Sequence, residues 1–172
     1  RGLRSELNAD LTWRNQSGRA ALSGTATITA DPYTEPATAM VRVVSALTRA
    51  SSEERRALPH WLGDTMLDVT LQSNGVLTLE NSVGNVDMVP DLRLTGTMSD
   101  AGLAGSIAIV DDGRIRVSGR SYRLRESSIV FTPEQGLVPR LNVFGETRIG
   151  DYEVTLRLSG PADAIETSLS SN

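Results

Sequence analysis

Few side chains in this sequence have types and spacing suited to chemistry. Asp111 and Asp112, and likewise Glu53 and Glu54, place two carboxylates side by side, an arrangement that can hold a hard cation or divide acid and base roles. Local structure accounts for both pairs. Asp-Asp-Gly at 111–113 has turn composition, and Glu53-Glu54 falls in the first turn of a predicted helix, where the dipole favours negative charge. His60 is the one histidine and sits between Pro59 and Trp61. With no Gly-x-Ser-x-Gly elbow in the chain it has no nucleophile to serve, and it reads as a loop residue. Neither a Gly-x-Gly-x-x-Gly loop nor a Walker motif is present. Cysteine is absent, which removes disulfides, thiolate metal sites and cysteine nucleophiles together. The expectation is a protein that is not an enzyme and carries no metal or cofactor.

Arg114, Arg116, Arg120, Arg123 and Arg125 form the remaining cluster. Guanidinium groups pair bidentately with phosphate oxygens, so lipid phosphates are one candidate ligand. The plainer reading places all five on the polar register of two neighbouring strands, solvating that face, with Asp87, Asp91, Glu126 and Glu153 balancing them across strands. The 172-residue chain has 17 basic and 21 acidic residues and a net charge of -4. Such a field gives no attraction to nucleic acid, which is not expected as a partner.

The elements that must position these residues are mostly strands, because apolar and polar residues alternate over most of the length. Leu67, Val69 and Leu71 share one face of the 66–72 segment, with Asp68, Thr70 and Gln72 on the other. After the Asn74-Gly75 turn signal, Leu77 and Leu79 resume the pattern. A strand pair is predicted from Val86, Met88, Leu92, Leu94 and Met98, with Pro90 marking an edge or a bend. Leu103, Ile107 and Ile109 follow, and Asp111-Asp112-Gly113 is expected to send the chain back through Ile115 and Val117. Tyr122, Leu124, Ile129, Phe131, Leu141, Val143, Val154, Leu156, Leu158 and Leu169 continue the alternation, as do Leu7 to Trp13 and Leu22 to Ala30 nearer the start. The period changes to that of a helix in an insertion at about 35–62. There Met40, Val43, Val44 and Leu47 form one apolar stripe, Pro36 lies in the first turn, and Ser51 with Glu54 suggests a second short helix ending before Pro59.

About a dozen strands with one aliphatic face pose a problem of cover. Each large apolar side chain left wet forgoes roughly 1.5–3 kcal/mol, against a whole-domain stability of about 5–15 kcal/mol. One helix cannot shield such a sheet. Residues 1–172 are therefore expected to form a single all-β domain. Its antiparallel-rich sheet either folds over into an elongated, taco-like, U-shaped groove with an apolar concave face, or closes as a β-sandwich. Aromatic residues make up only 4% of the chain, leaving few rings to plug the space between sheets. Gly96, Gly105 and Gly145 on the inward register would alternatively mark close approach of two sheets.

Several segments resemble one known family. Leu77 to Thr97 (LTLENSVGNVDMVPDLRLTGT), Gly105 to Ile115 (GSIAIVDDGRI) and Gly119 to Phe131 (GRSYRLRESSIVF) are similar, in order and spacing, to the C-terminal domain of the TamB family. The similarity continues through Pro139 to Asn142, Glu146 to Arg148, Asp151 to Leu156, Leu158 to Pro161 and Thr167 to Ser171, and more weakly at Tyr33 to Pro36. The resemblance implies a component of the bacterial translocation and assembly module, located in the periplasm and anchored in the inner membrane through segments outside these residues. It also implies a TamA-like, Omp85-type outer-membrane partner and a role in passing phospholipid toward the outer membrane.

The function expected on these grounds is a lipid conduit. Its lining would comprise Leu67, Val69, Leu71, Leu77, Leu79, Leu92, Leu94, Ile107, Ile109, Ile115 and Val117, continued by Val154, Leu156 and Leu158, with the Met40, Val43, Val44, Leu47 helix as a lid or plug. A charge at Leu94 is expected to interrupt such a lining while sparing the fold. The competing reading is a scaffold or chaperone module that assists outer-membrane β-barrel or autotransporter assembly by strand addition at a free sheet edge.

Overall fold

The structure, a computed structural model, describes residues 6–16, 19–29, 59–81, 84–110 and 112–171. The helical stripe of Met40, Val43, Val44 and Leu47, the Ser51 and Glu54 pattern and Asp111 lie outside the described residues.

Alternation becomes strand almost wherever it was read. The strands are β1 (Glu6–Gln16), β2 (Arg19–Thr29), β3 (Met66–Asn74), β4 (Leu77–Asn81), β5 (Gly84–Gly96), β6 (Ala101–Ile109), β7 (Arg114–Val117), β8 (Arg120–Phe131), β9 (Arg140–Ile149), β10 (Tyr152–Pro161) and β11 (Glu166–Ser171). A helical turn, α1 (His60–Gly63), precedes β3, and a 3-10 turn (Pro133–Gln135) follows β8. His60 thus opens a helical turn, where its Nδ1 lies 2.9 Å from the Asp64 carboxylate one turn on. It is not a loop residue.

All eleven strands belong to one sheet, in the order β1-β2-β3-β5-β6-β8-β9-β10-β11, with β4 also paired to β5 and β7 paired to both β5 and β8. The strands wind barrel-like around one interior, and no second sheet stacks on the first, so the β-sandwich alternative is overturned. Every pairing is antiparallel except β2 with β3, which run parallel from Ala21 opposite Met66 to Thr29 opposite Asn74. Parallel neighbours need a long crossover, and the segment between Thr29 and Met66 supplies the length.

Two sites expected to reverse the chain do not. β3 and β4 lie end to end along the same edge of β5, so Asn74-Gly75 is not a hairpin turn. Eight residues separate Val69 from Leu77, whereas six separate their partners Leu94 and Met88, which makes the junction a bulge of two extra residues. β6 and β7 likewise lie end to end between β5 and β8, and Asp112-Gly113 carries the chain onward. Six residues there separate Ile109 from Ile115 against four between Met88 and Gly84. The pairing survives the interruption, because the Leu124 N–H donates to the Gly113 carbonyl at 2.7 Å and the Val110 N–H to that of Asp87 at 2.8 Å. A third irregularity falls in β8 between Arg125 and Ser128. Each of the three contains a positive φ, at Gly75 (105°), Asp112 (73°) and Glu126 (38°). Bulges bend and twist the strand that carries them, so three within one sheet let a wide sheet curl.

Pro90, expected to mark an edge or a bend, occupies a local edge of the ladder. It lies inside the thirteen-residue β5, opposite Ile107 on one side and, on the other, opposite the step between β3 and β4, where neither strand pairs with residues 89 and 90. The missing N–H therefore leaves no broken ladder. The inward glycines mark close contact within the sheet and not between sheets. A side chain at Gly105 would strike the backbone of Asp91 and Leu92 in the adjacent strand, and Gly145 is covered by the ring of Tyr122.

The β8 bulge is sealed by one hydroxyl. Ser127 is buried, its Oγ accepts the Phe144 N–H at 3.0 Å, and it lies 2.8 Å from the Arg125 carbonyl and 3.2 Å from that of Phe144. Ser127→Ala strands those groups away from water, and urea unfolding is expected to show a loss of about 1–3 kcal/mol.

Candidate functional site

The site with the most structure is the inward face itself. Because directly opposed residues in adjacent strands share a face, the register lets it be followed strand by strand. Leu67, Val69, Leu77, Leu92, Leu94 and Ile107 are buried in one cluster, with Leu71 packed against it. Ile109, Ile115 and Leu158 pack against a second cluster of Val86, Leu124 and Val143. Leu156 is fully buried, and Leu79, Val117 and Val154 are half-buried. The fourteen expected lining residues thus occupy one face, joined by Ala26, Ile28, Leu103, Tyr122, Leu124, Phe131 and Val143. Alternation had marked most of these additional residues as apolar register. Nothing in the sequence distinguished a residue at the centre of the curl from one near its rim.

That distinction matters physically. Leu77, Leu92, Leu103, Leu124 and Leu156 are completely enclosed by the protein's own atoms, so the middle of the face is packed core. At the ends of the sheet the same face is uncovered. Trp13 opposes Leu22 and Leu11 opposes Gly24 in the first hairpin, which carries the inward face onto β1, where Leu11 is 45% and Trp13 44% exposed. Leu169 opposes the buried Leu156 and is 61% exposed on β11. Among the described residues β1 and β11 each have one hydrogen-bonded neighbour, so both outer edges are free.

The outward face is polar. Arg114, Arg116, Arg123 and Arg125 lie on it as expected, but Arg120 opposes Val117 in the register that also pairs Ile115 with Tyr122, so it shares the inward face. The carboxylates within reach of the cluster include Asp112, 3.8 Å from Arg123 and 3.6 Å from Arg125, and Glu146, 3.4 Å from Arg125. Of the partners expected from sequence, Asp87 instead accepts a hydrogen bond from Thr78 at 2.6 Å. Arg157 stacks on the Phe144 ring with its guanidinium 5.0 Å from the centroid. A depression of about 770 Å³ on this face is lined by Arg114, Ser121, Arg123, Glu146, Thr147, Arg148, Asp151 and Glu153. Among the described residues no three His, Asp or Glu side chains gather as metal ligands would.

The strongest ion pair is diagonal across β3 and β5. Arg93 donates to Asp68 through two nitrogens, at 2.6 and 2.8 Å. This hydrogen bonding holds the Asp68 carboxyl below its ordinary range and raises Arg93.

With this geometry in place, comparison with known proteins gives one decisive match. The family model of the TamB C-terminal domain covers residues 2–172, essentially the whole chain. The chain belongs to the TamB family. Membership assigns this TamB domain to the translocation and assembly system of the cell envelope, associated in general with the TamA/Omp85 system. A search among curated proteins returns no match.

Two outcomes follow from the site. Leu94 is buried in the main cluster, so Leu94→Asp puts an unpaired charge into core and is expected to abolish cooperative unfolding, contrary to the sequence expectation that it would spare the fold. For the ion pair, a carboxyl pKa lowered on folding contributes stability above its unfolded value, about 3.9, and loses it as pH falls through the folded value. The stability gap between the wild type and Asp68→Asn is therefore expected to be constant at neutral pH and to close in acid, as read by urea midpoints across pH 2–7.

Proposed function

We propose that this TamB domain shields lipid acyl chains on its inward apolar face, acting without catalysis as a segment of a periplasmic lipid conduit. The observation that carries the reading is the continuity of that face from closed core to exposed rims. Leu11 and Trp13 at one edge and Leu169 at the other extend the register of buried neighbours. A methylene buried against such a rim gains roughly 0.8 kcal/mol without any directional bond, which suits cargo of many chain lengths. Because the central leucines are already enclosed by protein, an acyl chain would lie against the exposed ends of the register, at β1 and β11, where no core side chain need move. In this reading the U-shaped groove is the space between those edge strands, the phospholipid headgroup stays at its open seam, and inner-membrane attachment comes from outside the described residues.

A second reading is favoured by a separate observation, that among the described residues the outer edges of β1 and β11 have no strand partner. A free edge offers a ladder of N–H and C=O groups to an incoming strand, as a scaffold for outer-membrane β-barrel or autotransporter assembly would require.

Photo-cross-linkers placed at Trp13 and Leu169 in the full-length protein are expected to capture phospholipid, whereas one at the enclosed Leu92 is not. Trp13→Asp and Leu169→Asp are expected to cut lipid capture several-fold with unchanged thermal unfolding. Lipid-free protein that instead binds isolated barrel strands would decide for the scaffold.

A further inference from the structure

The outward face of β7 to β10 carries a charge arrangement that sheet stability does not favour. Arg114 and Arg123 stand directly opposite each other across β7 and β8, a like-charge pair that works against the ladder. Arg116 lies two residues along from Arg114, on the same face, opposite Ser121. Among the described residues no carboxylate lies within ion-pair distance of Arg114, Arg116 or Arg148, while Arg123 shares Asp112, 3.8 Å away, with Arg125. Glu146 stands directly opposite Arg123 across β8 and β9, and its carboxylate lies 3.4 Å from Arg125. These arginines line two adjoining depressions of about 770 and 260 Å³, which have Arg114 and Ser121 in common.

Concentrated guanidinium charge, a hydroxyl and a concave surface meet at one point. The geometry points to a binding site for a phosphate group between Arg114, Arg116 and Arg123, with the Ser121 hydroxyl as a further donor. Guanidinium forks match phosphate oxygens, and a bound anion would turn the Arg114–Arg123 repulsion into a bridge. Glu146, Asp151 and Glu153 line the larger depression along with Arg114, Arg123 and Arg148; these carboxylates repel an extended polyanion and restrict the ligand to a small phosphate, free or carried on a headgroup. The site lies on the face opposite the apolar register and does not depend on the conduit reading.

The test is titration of the folded domain at low ionic strength with inorganic phosphate and, separately, with glycerophosphoethanolamine, followed by calorimetry and thermal unfolding. Saturable binding and a raised Tm are expected for the wild type. Arg114→Gln and Arg123→Gln are each expected to weaken binding roughly tenfold. In phosphate-free buffer Arg114→Gln should melt no lower than the wild type, because it removes a repulsion. Equal affinity for the two probes assigns the site to free phosphate, and preference for the ester assigns it to a headgroup. No saturable binding of either probe, or binding unchanged in both variants, would overturn the proposal.

Discussion

The constraint on which the structure depends is that a β-ladder gives every strand two faces, and this sequence makes one of them aliphatic almost without interruption. Backbone hydrogen bonding alone would accept a flat sheet. The cost of wetting eleven strands' worth of Leu, Ile and Val does not. The sheet therefore bends until the aliphatic face meets itself, and the five enclosed leucines in β4, β5, β6, β8 and β10 are where it meets most closely.

Curling so wide a sheet requires places where strands can change direction without losing their partners. The three bulges supply them, at Gly75, at Asp112 and at Glu126, and each keeps the inward register intact on both sides. Ser127 shows what this demands locally. A buried hydroxyl replaces the ladder contacts that the extra residue displaces from Phe144. The outward face is under a looser rule, since its charges remain in water and need only avoid one another. That makes the opposition of Arg114 and Arg123 notable.

The sequence made fold class and inward register legible because both follow from a period of two, which survives any pairing order. Pairing order itself was less legible. Asn74-Gly75 and Asp111-Asp112-Gly113 have residue types that permit positive φ, and such residues serve a two-residue bulge as well as a hairpin, so composition alone could not separate the outcomes. Pro90 was legible as an edge position, but the gap that makes it one lies in other strands, β3 and β4. Arg120 was assigned to the polar face by composition, while its register with Val117 turns it to the other. The lining residues were legible as a face. Which of them are packed and which are open depends on closure of the whole sheet, information that no local window contains.

The parallel pairing of β2 with β3 has a consequence for how the chain assembles. The first hairpin forms from neighbours in sequence, but it joins the remaining sheet only after Ala21 finds Met66 across a long intervening stretch. The entropy of closing that loop must be met before any contact rewards it, whereas the meander from β8 to β11 grows by adjacent steps. The docking of the β1–β2 hairpin onto β3 therefore carries a loop-closure cost that no step of the β8–β11 meander shares.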